Sequence, residues 1–468
     1  MSEDCLYLNI WAPAEASTKP RAVMVWIYGG GFSAGSSTSD WYNGRKLASS
    51  KDVILVTLNY RLGALGFFYN GKDDAPGNMG LLDQQLALRW VKDNIAEFGG
   101  DAERITIFGE SAGSASVSYH LLAEGSHDLF RNAILQSGSC LSYWAYRSPP
   151  IAKQMSKTFA KAMGCKDEDD MECLLKLSAF SISRSGMVGR TLLPTLDGYF
   201  LKEEPKALLE SGKVKKTSTI IGFNKNEGSL FAMMSFPNIV NFNQNEVFLT
   251  DEQFQMMVEK SLLDFTGRKD SILTEAAKFQ YRTLDWPNNY SYIEMYDKIT
   301  GDSLINCGVI DFANQYAASG GDVYMYLLEH KLANSPYPAW MGAPHGLDIF
   351  YIFGSVVFNL TADEEQLTDK MRTYWANLAK TGKPTANSLR DWPLYDAEKG
   401  SYLPFNIGTT ATGTGLRARE CAFWNSYMPK LVSEIEKCTS ESAGNALSQH
   451  LFSVFGLLFL LVSLLTVA

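Results

Sequence analysis

The seven cysteines form no C-x-x-C pair and no Cys/His cluster with zinc-ligand spacing, which removes a zinc site and a thioredoxin-type redox motif from consideration. Basic residues are in deficit. The net charge of −9 argues against a nucleic-acid partner and mildly favours attraction of cations. No Ser/Pro-rich linker and no internal repeat divides the chain. The first residues, Met1–Ile10, carry no signal peptide and enter a strand-like run almost at once. Only five histidines are present, so any chemistry that needs an imidazole has few sources.

What is there is apolar bulk. With 468 residues, 46% apolar and 12% aromatic, the chain can bury a large core. Apolar runs at Ala22–Tyr28, Val53–Tyr60, Ile105–Phe108, Ser218–Phe223 and Val323–Leu328 read as strands, with the segment Asn132–Ser137 following the helix after the third of them. Between them lie helical segments: Gly80–Phe98 (Leu81, Leu82, Leu86, Leu88, Trp90, Val91 and Ile95 as its apolar set), most of 250–283, 363–380 and about 416–436. Alternation of this kind predicts an α/β fold with a mainly parallel sheet covered by helices on both faces.

One stretch organises the rest. The strand run 104–108 stops at Gly109-Glu110-Ser111-Ala112-Gly113, and small helix-compatible residues follow. This is G-x-S-x-G between a strand and a helix, the context in which the serine is held exposed on a sharp turn. The Ala112 N–H lies at the start of that helix, where unpaired donors favour negative charge. Upstream, Gly29-Gly30-Gly31-Phe32 follows a strand and matches the glycine-rich loop that supplies oxyanion donors in lipases and esterases.

A serine hydroxyl needs a base, usually histidine. His120 lies nine residues along the helix after Ser111, His127 in a polar loop, His330 at a strand end and His450 in the C-terminal segment. His345, in Gly342-Ala-Pro-His-Gly346, sits in a strand-to-helix loop at the expected edge and is the base by elimination. Its carboxylate partner falls between serine and base in this architecture. Glu227 satisfies that order, but it is one of 51 acidic residues and order alone does not choose it.

The two ends suggest a cell-surface protein. Leu451–Ala468 is an apolar tail without a charge, preceded by a polar spacer and small residues (Ser440, Ser442, Ala443, Gly444). That is the layout of a GPI-attachment signal, with residues 437–450 as linker and attachment region; a tail-anchor helix is the alternative. Asn289 and Asn359 begin N-glycosylation sequons. Cys165 and Cys173 flank a short acidic loop and could close a local disulfide.

Together these segments resemble the cholinesterase branch of the type-B carboxylesterase family. The match runs from Ser2 to about Leu431 and includes Glu3–Asn9, the Gly29–Gly31 loop, Gly109–Gly113, Asn226–Gly228, Pro338–Gly346 and Cys421–Trp424. It implies one α/β-hydrolase domain over residues 1–436, with Ser111 as nucleophile, Glu227 as acid and His345 as base. Gly30, Gly31 and Ala112 would supply the oxyanion N–H groups, and no cofactor is called for. It also implies disulfides Cys165–Cys173 and Cys307–Cys421, a subunit-linking Cys438 that makes a homodimer, and Cys140 left over. Glu110 matches an acidic residue near the cationic part of the substrate. Trp26, Tyr28, Phe32, Tyr42, Trp144, Phe231 and Trp340 match aromatic positions around the substrate gorge, a lining suited to a quaternary ammonium.

The departures bear on the substrate. Compared with the family pattern, the chain begins after the disulfide loop that carries the choline-stacking tryptophan, so an N-terminally incomplete sequence is expected and Cys5 lacks its partner. Val188 and Arg190 stand at the acyl-pocket phenylalanine positions, and Ser33, Leu230 and Met234 replace expected aromatics. The resemblance thus implies an extracellular choline-ester hydrolase. The alternatives are a general carboxylesterase, a silent neuroligin-like adhesion module or a slow, ligand-sequestering protein.

Overall fold

The computed structural model describes residues 2–15, 17–186, 191–282, 291–354, 359–385, 389, 391–408 and 411–444. Asn289, Val188, Arg190, His450 and the tail Leu451–Ala468 lie outside the described residues.

Eight strands form one sheet: β1 (Leu8–Trp11), β2 (Arg21–Ile27), β3 (Ile54–Leu58), β4 (Gly100–Glu110), β5 (Asn132–Gln136), β6 (Ser218–Asn224), β7 (Asp322–Leu328) and β8 (Leu403–Phe405). Their order is β1-β3-β2-β4-β5-β6-β7-β8, with β1 antiparallel to β3 and every other pairing parallel. The continuous apolar runs are explained by burial on both faces: β3 and β5 are buried throughout, and β2 in all but its first residue. Because the central strands run parallel, β4, β5, β6 and β7 all deliver their C-terminal ends to one edge. Crevices at that edge are where open α/β sheets place ligands.

The helices cover the sheet with two departures from the sequence pattern. The helix expected over 80–98 is Met79–Asn94 followed by a 3-10 turn, Ile95–Phe98, which ends at Gly99. Leu86 and Trp90 of its apolar set face solvent at 66% and 39% exposure, because buried Asp83 and Gln84 occupy the inner face instead. Asp83 is there to hold Arg61, at 2.8 Å, and Gln84 to bond Ser116 and His120. The C-terminal helical region is Ala418–Ala422, a π turn Phe423–Tyr427, and Met428–Gly444, so the helix runs through the first part of the polar stretch before the tail. Among the described residues no helix is long and apolar enough to cross a membrane.

Two disulfides are present, Cys165–Cys173 and Cys307–Cys421. The second joins the helix after the π turn Asp302–Asn306 to the helix before Phe423–Tyr427. Cys140 is buried, and burial pushes its thiol up to about 12. Cys438 is half-buried on the last helix, outside both intramolecular bridges.

Candidate active site

β4 ends at Glu110, and the chain turns at Ser111 (φ 57°, ψ −122°) into the helix Ala112–Leu122. A non-glycine residue with positive φ is strained, and strain of this kind persists where surrounding structure over-determines it. Here the turn is held by Ser111 N–H donating to Gln136 O at 2.9 Å and by Ala115 N–H donating to Ser111 O at 2.9 Å. The loop after β2 lies directly against the turn. A Cβ on Gly29 would sit 2.5 Å from Glu110 O and 2.9 Å from the Ser111 Cβ, so only glycine lets the two segments approach. Gly30 and Gly31 follow with φ of 115° and 60°.

The other two candidates arrive on neighbouring loops. Glu227 opens the helix Glu227–Ser235 just beyond β6, and His345 sits in the loop between the 3-10 turn Ala339–Met341 and the helix Leu347–Phe353. Asn226 laces these loops together. Its N–H donates to Ala343 O at 3.0 Å, its Oδ1 accepts from Ala343 N–H at 3.1 Å, and its Nδ2 donates to Asp297 at 2.8 Å. Asn224 adds a bond from Nδ2 to Pro344 O at 2.8 Å.

The result is a 2.5 Å contact between His345 Nδ1 and Glu227 Oε2. Glu227 is 1% exposed, and its other oxygen accepts from Ser137 Oγ and from Asn224 N–H, each at 2.6 Å. A carboxylate so fixed holds a proton on Nδ1 of the imidazole. His345 Nε2 lies 3.0 Å from Glu110 Oε1. Burial disfavours the imidazolium, but Glu110 and Glu227 outweigh it and raise His345 to about 9. Burial raises Glu110 to about 8, opposed by His345 and reinforced by Asp348 and Glu227. The two groups titrate as a unit.

Of the aromatic candidates, Phe231 packs against the His345 ring at 5.0 Å between centroids. Trp340 is half-buried on the turn before His345, and its buried indole N–H has no hydrogen-bond partner among the described residues. Trp144 donates its indole N–H to Leu304 O at 2.8 Å and stands 6.4 Å from Phe32, which is fully buried and also meets Phe67 at 5.1 Å. Tyr42 is close enough to Glu110 for that charge to raise its hydroxyl further. Trp26 is a core residue instead: Tyr42, Phe108 and Phe353 surround it within 5.3 Å. Tyr28 is likewise taken up by a stack with Tyr60 at 4.5 Å.

Comparison with known proteins adds a second line. The profile of the carboxylesterase family matches residues 1–424. The chain belongs to the carboxylesterase family. Within it, this carboxylesterase is 40% identical to the acetylcholinesterase of Bungarus fasciatus, the alignment covering 97% of the chain and 77% of the relative. It is 40% identical to the cholinesterase of Mus musculus (92% and 74% covered) and 38% identical to the acetylcholinesterase of Electrophorus electricus (93% and 76%). The protein is therefore an α/β-hydrolase and a carboxylic ester hydrolase, a serine esterase of cholinesterase-like type.

Several residues that bear on the site escaped the sequence reading. Ser137 (φ 55°) reaches Glu227, and Gln136 and Tyr326 both bond the buried Asp348, at 3.0 and 2.7 Å. Asp297, whose carboxyl is raised by burial to about 7, stands behind Asn226. The available signal for Ser137 and Gln136 was position alone, since they end the strand beside β4. Nothing marked Asp297 or Asp348 among the many acids.

Proposed function

We propose that the protein hydrolyses choline esters, with Ser111 as nucleophile, His345 as base and Glu227 as the residue that orients the base. The observation that carries the reading is His345 set between two buried carboxylates, Glu227 at Nδ1 and, at Nε2, Glu110, the residue that precedes Ser111. Neutral His345 takes the Ser111 proton as Oγ bonds to the ester carbonyl carbon, and the carbonyl oxygen becomes an oxyanion facing the N–H groups of Gly30, Gly31 and Ala112. Collapse breaks the C–O bond to the alcohol, and His345 returns the proton to the leaving oxygen. Water then attacks the acyl-enzyme, giving its proton to His345, and the acid departs as the Ser111 hydroxyl is restored.

Choline is favoured over a neutral alcohol by charge and lining. Glu110 places a carboxylate at the site, and Phe231, Trp340, Trp144 and Phe32 offer π faces to a quaternary ammonium. The second reading is a general carboxylesterase; Ser33, Leu230 and Met234 in place of larger aromatics favour it. A silent adhesion module is disfavoured because no member of the candidate triad is replaced. The test is kcat/KM for acetylthiocholine against its uncharged carbon isostere: a preference for the charged ester supports the choline reading, and parity supports the general esterase.

The extracellular assignment rests on sequence features. We assign Leu451–Ala468 to a removed GPI signal, Asn289 and Asn359 to N-glycosylation, and Cys438 to an intersubunit disulfide that yields a homodimer. Asn359 is exposed, as a glycan site requires. Release of the protein from cells by phosphatidylinositol-specific phospholipase C, and a reducible dimer band lost in Cys438→Ser, test these assignments.

A further inference from the structure

The helix Tyr292–Gly301 packs against the helix that Glu227 opens. A Cβ on Gly228 would sit 2.1 Å from Asp297 O, so only a glycine beside Glu227 lets the two backbones meet. The same helix buries the Asp297 side chain at 5% exposure. Its Oδ2 accepts from Asn226 Nδ2 at 2.8 Å, and its Oδ1 has no hydrogen-bond partner among the described residues. Arg417 also acts on Asp297, but its ion pair is with Asp302, at 3.4 Å. A carboxyl buried in this way is costly to keep, and a leucine of similar size would fill the space without that cost.

What the carboxyl does is orient an amide. Asparagine has a donor end and an acceptor end, and its partners decide which faces which way. Ala343 N–H requires an acceptor and has Asn226 Oδ1 at 3.1 Å, so Nδ2 points to the other side, where Asp297 Oδ2 accepts. A proton on this carboxyl has the unpartnered Oδ1 to occupy, so Oδ2 accepts in either protonation state. A Cβ on Gly342 (φ 61°) would lie 2.2 Å from Asn226 Oδ1, so the amide is seated directly against that backbone. Asn226 precedes Glu227, and Ala343 stands two residues before His345. The bonds made by Asn226 therefore tie down both ends of the 2.5 Å contact between Glu227 and His345.

We propose that Asp297 is a positioning residue for ester hydrolysis: by accepting from Asn226 Nδ2 it fixes the amide that locks the Glu227 loop to the His345 loop. The inference rests on the reading of Ser111, His345 and Glu227 as the triad. Asp297 acts only through Asn226, and its contribution is to turnover rather than to substrate binding. A misplacement of about 1 Å between acid and base is enough to lower the rate roughly 100-fold.

The test is kcat and KM for phenyl acetate, a neutral ester, so that choline preference does not enter. Asp297→Leu removes the acceptor and should lower kcat per folded chain roughly 10- to 100-fold, with KM within about twofold and Tm close to wild type. Asp297→Asn keeps an acceptor oxygen and should retain kcat within about threefold. Asn226→Ala should reproduce the loss, and adding Asp297→Leu to it should change kcat by less than about threefold, because both act through one bond. Should Asp297→Leu fail to fold, Asp297→Ala is read in its place. Glu227→Gln in parallel separates the two levels. Its loss of turnover beside an unaffected Asp297→Leu overturns this inference alone, whereas full turnover in Glu227→Gln overturns the triad reading and this inference with it. A change confined to KM, an Asp297→Asn loss equal to that of Asp297→Leu, or independent losses in the Asn226 and Asp297 variants also overturns the proposal.

Discussion

Glu110 Oε1 stands 3.0 Å from Nε2 of His345, while Nδ1 of the same ring contacts Glu227 at 2.5 Å. Imidazolium is therefore stabilised from both sides, and neutral imidazole, the form a base must have, is disfavoured. This sets the sign of the pH dependence. Activity should rise with pH as His345 loses its proton. Removing the Glu110 charge lowers the His345 value, so Glu110→Gln should move the rising limb of the kcat/KM profile about one pH unit or more toward acid. An unmoved limb would show that Glu110 does not face the working base.

Glu227→Gln keeps shape but loses the charge that pairs with the imidazolium. The buried carboxylate has three partners here, His345, Ser137 and Asn224, so the loop should hold while the chemistry suffers. The expected loss in kcat is roughly 10^4-fold, with a Tm close to wild type. A loss below tenfold would remove Glu227 from the candidate triad.

Phe231 packs against the His345 ring at 5.0 Å between centroids, and the choline-ester proposal has it offer a π face to the ammonium. Phe231→Ala should raise KM for acetylthiocholine roughly 3- to 30-fold, the range of a cation–π contact, and change the neutral isostere less. Equal effects on both esters would mean that Phe231 contributes packing only.

The Cys307–Cys421 bridge closes a 114-residue separation and ties two π turns together. Its removal in Cys307→Ser/Cys421→Ser should cost about 2–5 kcal/mol of stability, read as earlier unfolding in denaturant. The shorter Cys165–Cys173 loop, with a separation of 8, should cost less when removed.

How much of this was legible depended on whether the signal was local. The strand before Ser111, the glycines flanking it and the loop histidine are contiguous patterns, and the structure has them at one edge of the parallel sheet. Glu227 became legible only through family resemblance, because sequence order cannot select one acid from 51. Trp26 read as a possible gorge aromatic, yet its position on β2 between Phe108 and Phe353 makes it core. Leu86 and Trp90 fit a helical apolar stripe, but buried Asp83 and Gln84 needed the inner face to reach Arg61 and His120. Asp297 and Asp348 could not be found from the sequence at all. Their burial is decided by partners more than 20 residues away: Asn226 for Asp297, and Gln136 and Tyr326 for Asp348.

The central claim is that Ser111 carries the acyl group, and an organophosphate label tests it most directly. Intact mass and peptide mapping after reaction with diisopropyl fluorophosphate should find one adduct per chain, on the peptide containing Ser111, in step with loss of esterase activity. Ser111→Ala should take no label, fold normally and lose roughly 10^6-fold in kcat. An adduct on another serine, or turnover retained in Ser111→Ala, would contradict the account.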